Sequence, residues 1–333
     1  MSGCHCAVHI VRFPDILLSN SGFPPEWREG RSAVGELRTR EGLQSSYTGG
    51  RHVTRYAFHI LNVFTRPGER LSGNPLAVFA AADDLDAPTM QALARQMNLA
   101  ETTFILKSEV AAARVRIFTP SYEMPFAGHP TLGTAHVCRA LGLGGDQLTL
   151  ELQAGRIPVR AHGDDWTLEA PAPKTRAVSM SRAAVAKLVA LEEADVADHP
   201  LWVSTGREQL IVPLASEQAV RRAAPMREAF ASLECVDGPG QVYVFAALAK
   251  GRILARFFYP DGQAVLEDPA TGSATANLGG WWLAMQRPRP TRLVASQGEY
   301  TGRPSLLTLD VDSQSRIFVT GAVVQLAVGT LDL

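Results

Sequence analysis

The chain has 333 residues, 46% hydrophobic and 20% charged, with a formal net charge of -1. That length exceeds one minimal core and fits two ordinary domains, and the near-neutral charge gives no general attraction for nucleic acid or an anionic membrane. Four cysteines, at 4, 6, 138 and 235, are too scattered for a disulfide scaffold, no run approaches 18 apolar residues, and no signal peptide is evident, which leaves the cytoplasm as the expected location.

Residues 1–52 stand apart from the rest of the chain: a short apolar run, Pro24-Pro25, and a charge-rich stretch without sustained periodicity predict a poorly ordered extension. An extra helix, a capping segment, or a natural start near Val53 stay open as alternatives. Cys4-His5-Cys6 lacks a second pair and is too little for a structural zinc site; no metal is expected.

Alternation over 54–63 predicts a strand, 64–73 a loop, and Leu76-Ala77-Val78-Phe79 a second strand. Asp84 to Asp86 with Pro88 mark a helix start, since a carboxylate caps free N–H groups and proline is tolerated in the first turn; Met90, Leu93, Ala94 and Met97 supply its apolar face. Glu101 then sits where this helix hands over to a strand. Another strand over 113–118 runs into the turn of Phe126, Gly128 and His129 and a small-residue helix. Residues 142–145 form a turn, 148–152 and 157–159 a hairpin, and 166–170 one more strand; Pro171 and Pro173 mark a boundary. Beyond it the pattern gives a helix over 181–191, strands over 201–204 and 209–213, and a helical stretch over 217–233 broken near Pro225. Strands over 241–247 and 253–259 come next, with a second small-residue helix over 273–285 and a terminal meander of strands over 292–296, 305–311, 316–320 and 323–328. The order of elements repeats once, and two loops of related design suggest halves facing each other across a cleft.

A P-loop, H-E-x-x-H and G-x-S-x-G are missing, and Gly142-Leu143-Gly144-Gly145 comes after a helix-like stretch instead of a strand, unlike a dinucleotide fingerprint. His129 has two open roles: a loop histidine bonded to backbone, or a proton carrier at a helix N-terminus. Gly128 lets a substrate approach the backbone, and Thr131 and Gly133 extend a first turn whose N–H groups suit a carboxylate or phosphate. Glu101 is either a salt-bridge partner or, in a closed cleft, a proton shuttle. Asp268 is either an N-cap or a holder of a substrate amine or hydroxyl. Ser273 is a cap or part of a second anion site with its neighbouring N–H groups. Asn74 reads as a turn residue and Arg207 as a surface cation.

Four stretches together resemble the phenazine-biosynthesis PhzF-like isomerase family: Gly73-Asn74-Pro75-Leu76-Ala77-Val78, Asn98-Leu99-Ala100-Glu101-Thr102-Thr103-Phe104, residues 116–133, and Glu267-Asp268-Pro269-Ala270-Thr271-Gly272-Ser273-Ala274. The likeness runs from about Tyr56 to the C-terminus. It implies an α/β (α+β) fold similar to diaminopimelate epimerase, with two similar domains, each a curved, mostly antiparallel sheet around a central helix. The expected division is 53–172 with about 323–333, and 175–322. It implies Glu101 as the acid/base, with His129 and Asp268 beside it, and Asn74, Gly128, Thr131, Gly272 and Ser273 as substrate-binding positions. The implied activity is a cofactor-independent isomerisation of a small anionic cyclic or amino/hydroxy acid, in a homodimer without nucleic-acid or membrane partners. Enzymes similar to diaminopimelate epimerase place a cysteine from each domain where this chain has Ala127 and Pro269, so a two-thiol racemase is not expected. A binding protein without catalysis, and a lyase using the same base, stay open.

Overall fold

The structure, a computed structural model, describes residues 46–48, 51–197, 199–231, 233–236 and 238–333. The expectations for the N-terminal extension, Cys4-His5-Cys6 included, lie outside the described residues except at 46–48 and 51–52. Those belong to a short ribbon, β1 (Ser46–Thr48) with β2 (Arg51–Val53).

The first half comprises β3 (Arg55–Val63), β4 (Asn74–Phe79), α1 (Ala87–Met97), β5 (Glu101–Leu106), β6 (Ala113–Phe118), β7 (Glu123–Met124), α2 (Gly128–Ala140), β8 (Gln147–Leu152), β9 (Gly155–His162) and β10 (Asp165–Ala170). The second comprises β11 (Lys174–Ala177), α3 (Arg182–Leu188), β12 (Leu201–Ser204), β13 (Glu208–Pro213), α4 (Glu217–Arg222), α5 (Arg227–Phe230), β14 (Glu234–Cys235), β15 (Gly238–Pro239), β16 (Val242–Ala247), β17 (Arg252–Asp261), β18 (Ala264–Asp268), α6 (Gly272–Ala284), β19 (Thr291–Gln297), β20 (Ser305–Val311) and β21 (Ile317–Asp332).

Strand pairing repeats between the halves. From β3 the pairs run antiparallel to β4, parallel to β5, antiparallel to β6, parallel to β8, then antiparallel through β9 to β10. From β12 the same sequence runs through β13, β16, β17, β19 and β20 to β21. In each run the second parallel step needs a crossover, because parallel neighbours cannot be joined by a tight hairpin; α2 fills it between β6 and β8, and α6 between β17 and β19. The first run also closes, since β21 pairs with β10 through residues 317–322 and with β3 through 323–332.

A helix surrounded by strands must be apolar on every side. Accordingly α2 buries ten residues and α6 nine. Their Leu132, Val137, Leu278 and Trp281 join one core cluster with residues of both strand runs. Outside the strands, α1 packs Met90, Leu93 and Ala94 on Phe79, Phe104 and Phe118. Its start matches the reading from sequence: Asp86 accepts from the Thr89 N–H at 2.9 Å and Pro88 lies in the first turn, a cap that contributes about 1 kcal/mol. α3, α4 and α5 cover the outer face of β12, β13 and β16.

Three expectations need correction. The helix over 181–191 ends at Leu188, so α3 is shorter at its C-terminal end. The break expected near Pro225 is present: α4 and α5 flank it, with Ala223 leaving helical geometry just ahead of Pro225, which has no N–H to donate. A strand that the pattern did not give, β18, precedes α6 and ends at Asp268. The last two strands of the meander are one: β21 runs straight through Gly321, where a turn was expected. That glycine serves a close approach, for a Cβ there would lie 2.0 Å from Cδ1 of the Phe64 ring. Among the described residues no helix is long and apolar enough to cross a membrane.

Candidate active site

α1, α3 and α4 are capped by side chains, from Asp86, Ser181 and Ser216 respectively. The two central helices are not: Ala127 has no side chain to offer α2, and at Thr271, ahead of α6, the hydroxyl is turned to Asp268. The first turns therefore keep N–H groups without intrahelical partners at Gly128 and His129 and at Gly272, Ser273 and Ala274. The two ends meet, since a Cβ on Gly128 would stand 3.7 Å from the Gly272 Cα. Two positive helix ends converging on one spot favour an anion there.

Three titratable groups surround that spot. Glu101 opens β5, in register with Leu76 of β4. Its Oε2 stands 3.1 Å from His129 Nε2, with the side chains 15% and 7% exposed. The pair is close but poorly aligned, and among the described residues neither atom has a hydrogen-bond partner that meets directional criteria. Burial is the largest single influence on His129 and opposes its protonation. The Glu101 carboxylate, the Asp268 carboxylate and a hydrogen bond to the Pro75 carbonyl together outweigh it and raise the imidazole pKa. His129 is thus buried in the first turn of α2 and is not the loop histidine of the alternative reading.

Asp268 completes the trio. Burial, then the charge of Glu101, pushes its carboxyl up to about 6, against the opposing influence of Thr271, His129 and Asn74. Its Oδ1 accepts from Asn74 Nδ2 at 2.9 Å, and its Oδ2 from the Thr271 hydroxyl. Asp268 is therefore no N-cap. Glu101, His129 and Asp268 do not converge as a metal-ligating set among the described residues.

The remaining predicted positions divide. Gly128, Gly272 and Ser273 lie at the helix ends described above. Asn74 is fully buried and spends its amide hydrogens on Asp268 and on the Ala270 carbonyl at 3.0 Å, which joins the two halves; its Oδ1 has no donor among the described residues. Thr131 requires correction. It is fully buried, its hydroxyl donates to the Ala127 carbonyl at 2.7 Å, and its N–H makes the first turn bond to the same oxygen, so it has no donor to offer a ligand.

Sequence reasoning passed over three residues. Gln297 donates to the Asp268 carbonyl and the Thr271 hydroxyl and accepts from the Thr271 N–H, which holds the loop into α6. Gln209 donates to Ser273 Oγ at 3.1 Å. Tyr259 stacks at 6.2 Å on Phe257, the register partner of Asp268, so it shares that face of the sheet. Burial, then the charges of Asp268 and Glu101, pushes its hydroxyl pKa up, and it stays protonated. The alternation of Phe257 and Tyr259 was a usable signal for the last; the glutamines carried none.

A family model described as Phenazine biosynthesis-like protein matches residues 61–329. An uncharacterized isomerase of Pasteurella multocida is 34% identical over 84% of this chain and 95% of its own. A trans-2,3-dihydro-3-hydroxyanthranilate isomerase of Pseudomonas chlororaphis is 36% identical over 79% of this chain and 95% of its own. Among solved structures, a PhzF-family protein of Bacillus anthracis superposes with a TM-score of 0.73 at 26% identity, covering 83% of this chain and 99% of the other. A hydroxyproline epimerase of Agrobacterium vitis, 12% identical over 84% of this chain and 93% of its own, has a TM-score of 0.57 and shares the fold.

Proposed function

Because the chain belongs to the phenazine biosynthesis-like protein family and is an isomerase, we propose that it moves a proton, without a cofactor, on a small anionic amino- or hydroxy-substituted acid held between the N-termini of α2 and α6. The observation that carries this reading is the Glu101 carboxylate, largely buried, 3.1 Å from His129 and beside two uncapped helix ends. Glu101 takes a proton from one carbon of the substrate and returns it to another, so composition does not change. Negative charge developing on the substrate is met by N–H groups at the helix ends, which are already in place and need no reorganisation. His129, whose pKa the neighbouring carboxylates raise, and Asp268 orient the substrate on either side. Ala127 and Pro269 offer no titratable group, which supports one carboxylate in place of two opposed thiols. The repeated pairing order supports two epimerase-like domains, 53–172 with about 323–333, and 175–322, with this site between them.

Trans-2,3-dihydro-3-hydroxyanthranilate is the first substrate to test, since relatives at about this identity carry its name. Incubation in deuterated water, with NMR of the product, reads carbon-bound deuterium directly. Glu101→Gln is expected to lose about 10²- to 10⁴-fold of the exchange rate with its circular dichroism unchanged. Full turnover by that variant would sink the role of Glu101. Binding without exchange by the wild type would instead favour a binding protein, and a product of altered composition a lyase.

A further inference from the structure

Between positions 270 and 281 every residue is buried except Ser273. Among the described residues its hydroxyl has one hydrogen-bond partner, the Gln209 amide. The direction of that bond can be traced from backbone groups whose roles are fixed. The Thr205 N–H can only donate, and it lies 2.8 Å from Asn277 Oδ1. The Arg207 carbonyl can only accept, and it lies 2.9 Å from Asn277 Nδ2. Together they fix which end of the Asn277 amide is oxygen. The second hydrogen on Nδ2 reaches Gln209 Oε1 at 2.8 Å, which fixes Gln209 in turn. Gln209 Nε2 is left with two hydrogens, one for Gln241 Oε1 at 3.2 Å and one for Ser273 Oγ at 3.1 Å.

An independent anchor at the far end agrees. Arg207 Nε can only donate, and its partner is the same Gln241 oxygen at 3.2 Å. Gln209, Asn277 and Thr205 are 1%, 0% and 5% exposed, so water does not compete for these groups. Reversing the Gln209 amide would set oxygen against oxygen at Gln241 and nitrogen against nitrogen at Asn277.

We infer that Gln209 is a positioning residue that makes Ser273 Oγ an acceptor on its inner side and so commits the serine hydroxyl hydrogen to the cleft, where it donates to an acceptor on the ligand. That the acceptor is a carboxylate oxygen rests on the proposed function; the orientation of the hydroxyl does not. The site thereby favours a ligand that presents an acceptor at this point.

Neutron diffraction from crystals of the full chain exchanged into deuterated water tests the orientation without any ligand. The expected result is a deuteron on Ser273 Oγ directed away from Gln209, with both Gln209 Nε2 deuterons directed at Ser273 and Gln241. A Ser273 deuteron directed at Gln209 overturns the inference. A double-mutant cycle then tests the coupling, using calorimetric titration with anthranilate, an aromatic amino acid with no proton to move. Ser273→Ala is expected to weaken binding about tenfold and Gln209→Met several-fold. The double variant should be within about twofold of Ser273→Ala alone, because Gln209 acts through that hydroxyl. Losses that multiply, with or without a fall in melting temperature, overturn the coupling. A wild type that ignores anthranilate yet shows the expected deuteron supports the orientation and counts against the substrate class.

Discussion

Replacing Asp268 by Asn removes a charge from the site while keeping the size of the side chain. In the folded chain this carboxyl is raised from 3.8 to about 6. A group raised in the native state contributes stability that is complete below its unfolded pKa and lost as pH climbs through the folded value. The rise corresponds to roughly 3 kcal/mol at pH 8, about half of it already lost at pH 5. Asp268→Asn escapes that loss, so it should gain on the wild type as pH increases. His129 works in the same direction. Its own raised pKa contributes stability at low pH that disappears as it deprotonates, and removing Asp268 trims that contribution. The net expectation is that the variant's stability relative to wild type rises by about 1–3 kcal/mol from pH 4 to 8. Urea unfolding of both proteins at several pH values and constant ionic strength measures it, provided the slopes agree. A stability difference that does not change with pH would refute the reasoning. In the same range, wild-type proton exchange should rise through pH 6 as Asp268 ionises.

Two further outcomes are expected. Gly321→Ala drives a Cβ to 2.0 Å from Phe64 Cδ1, and a calorimetric melt should record a loss of about 3 kcal/mol or more, reduced in a Phe64→Leu background; a melt within a degree of wild type would show that this contact does not require the glycine. Cys138 is fully buried on α2, and burial pushes its thiol up to about 12. Iodoacetamide at pH 8 should leave its peptide unmodified by mass spectrometry until the chain unfolds, whereas labelling at the rate of a free thiol would contradict the burial.

Elements whose ends are marked by local chemistry were legible. Asp86 and Pro88 placed the start of α1, and residues 113–118 matched β6 at both ends. Glu101, His129 and Asp268 were named from sequence and lie within electrostatic reach of one another in the fold. Errors arose where a residue answers to a distant partner. Gly321 looked like a turn because its reason, Phe64, lies 257 positions away. Thr131 has a side chain suited to a ligand but is turned into its own helix, which depends on which face of α2 the strands enclose. Gln209 is an ordinary strand residue until β13 lies beside α6, and only then does its amide acquire a direction.

The ring of strands about α2 has an assembly order built into it. Its last member, β21, reaches Arg55 with Asp332 and bridges β10 to β3. During synthesis, residues 55–170 therefore emerge with two strand edges exposed, and they wait while another 146 residues, 171–316, are made before the closing strand begins. The same strand also completes the second run by pairing with β20. Neither half can finish ahead of the other, so the chain carries a high contact order and a long interval of unpaired edges, both of which slow folding and favour off-pathway association. One segment that touches none of Glu101, His129 or Asp268 by hydrogen bond thus decides when all three can come together.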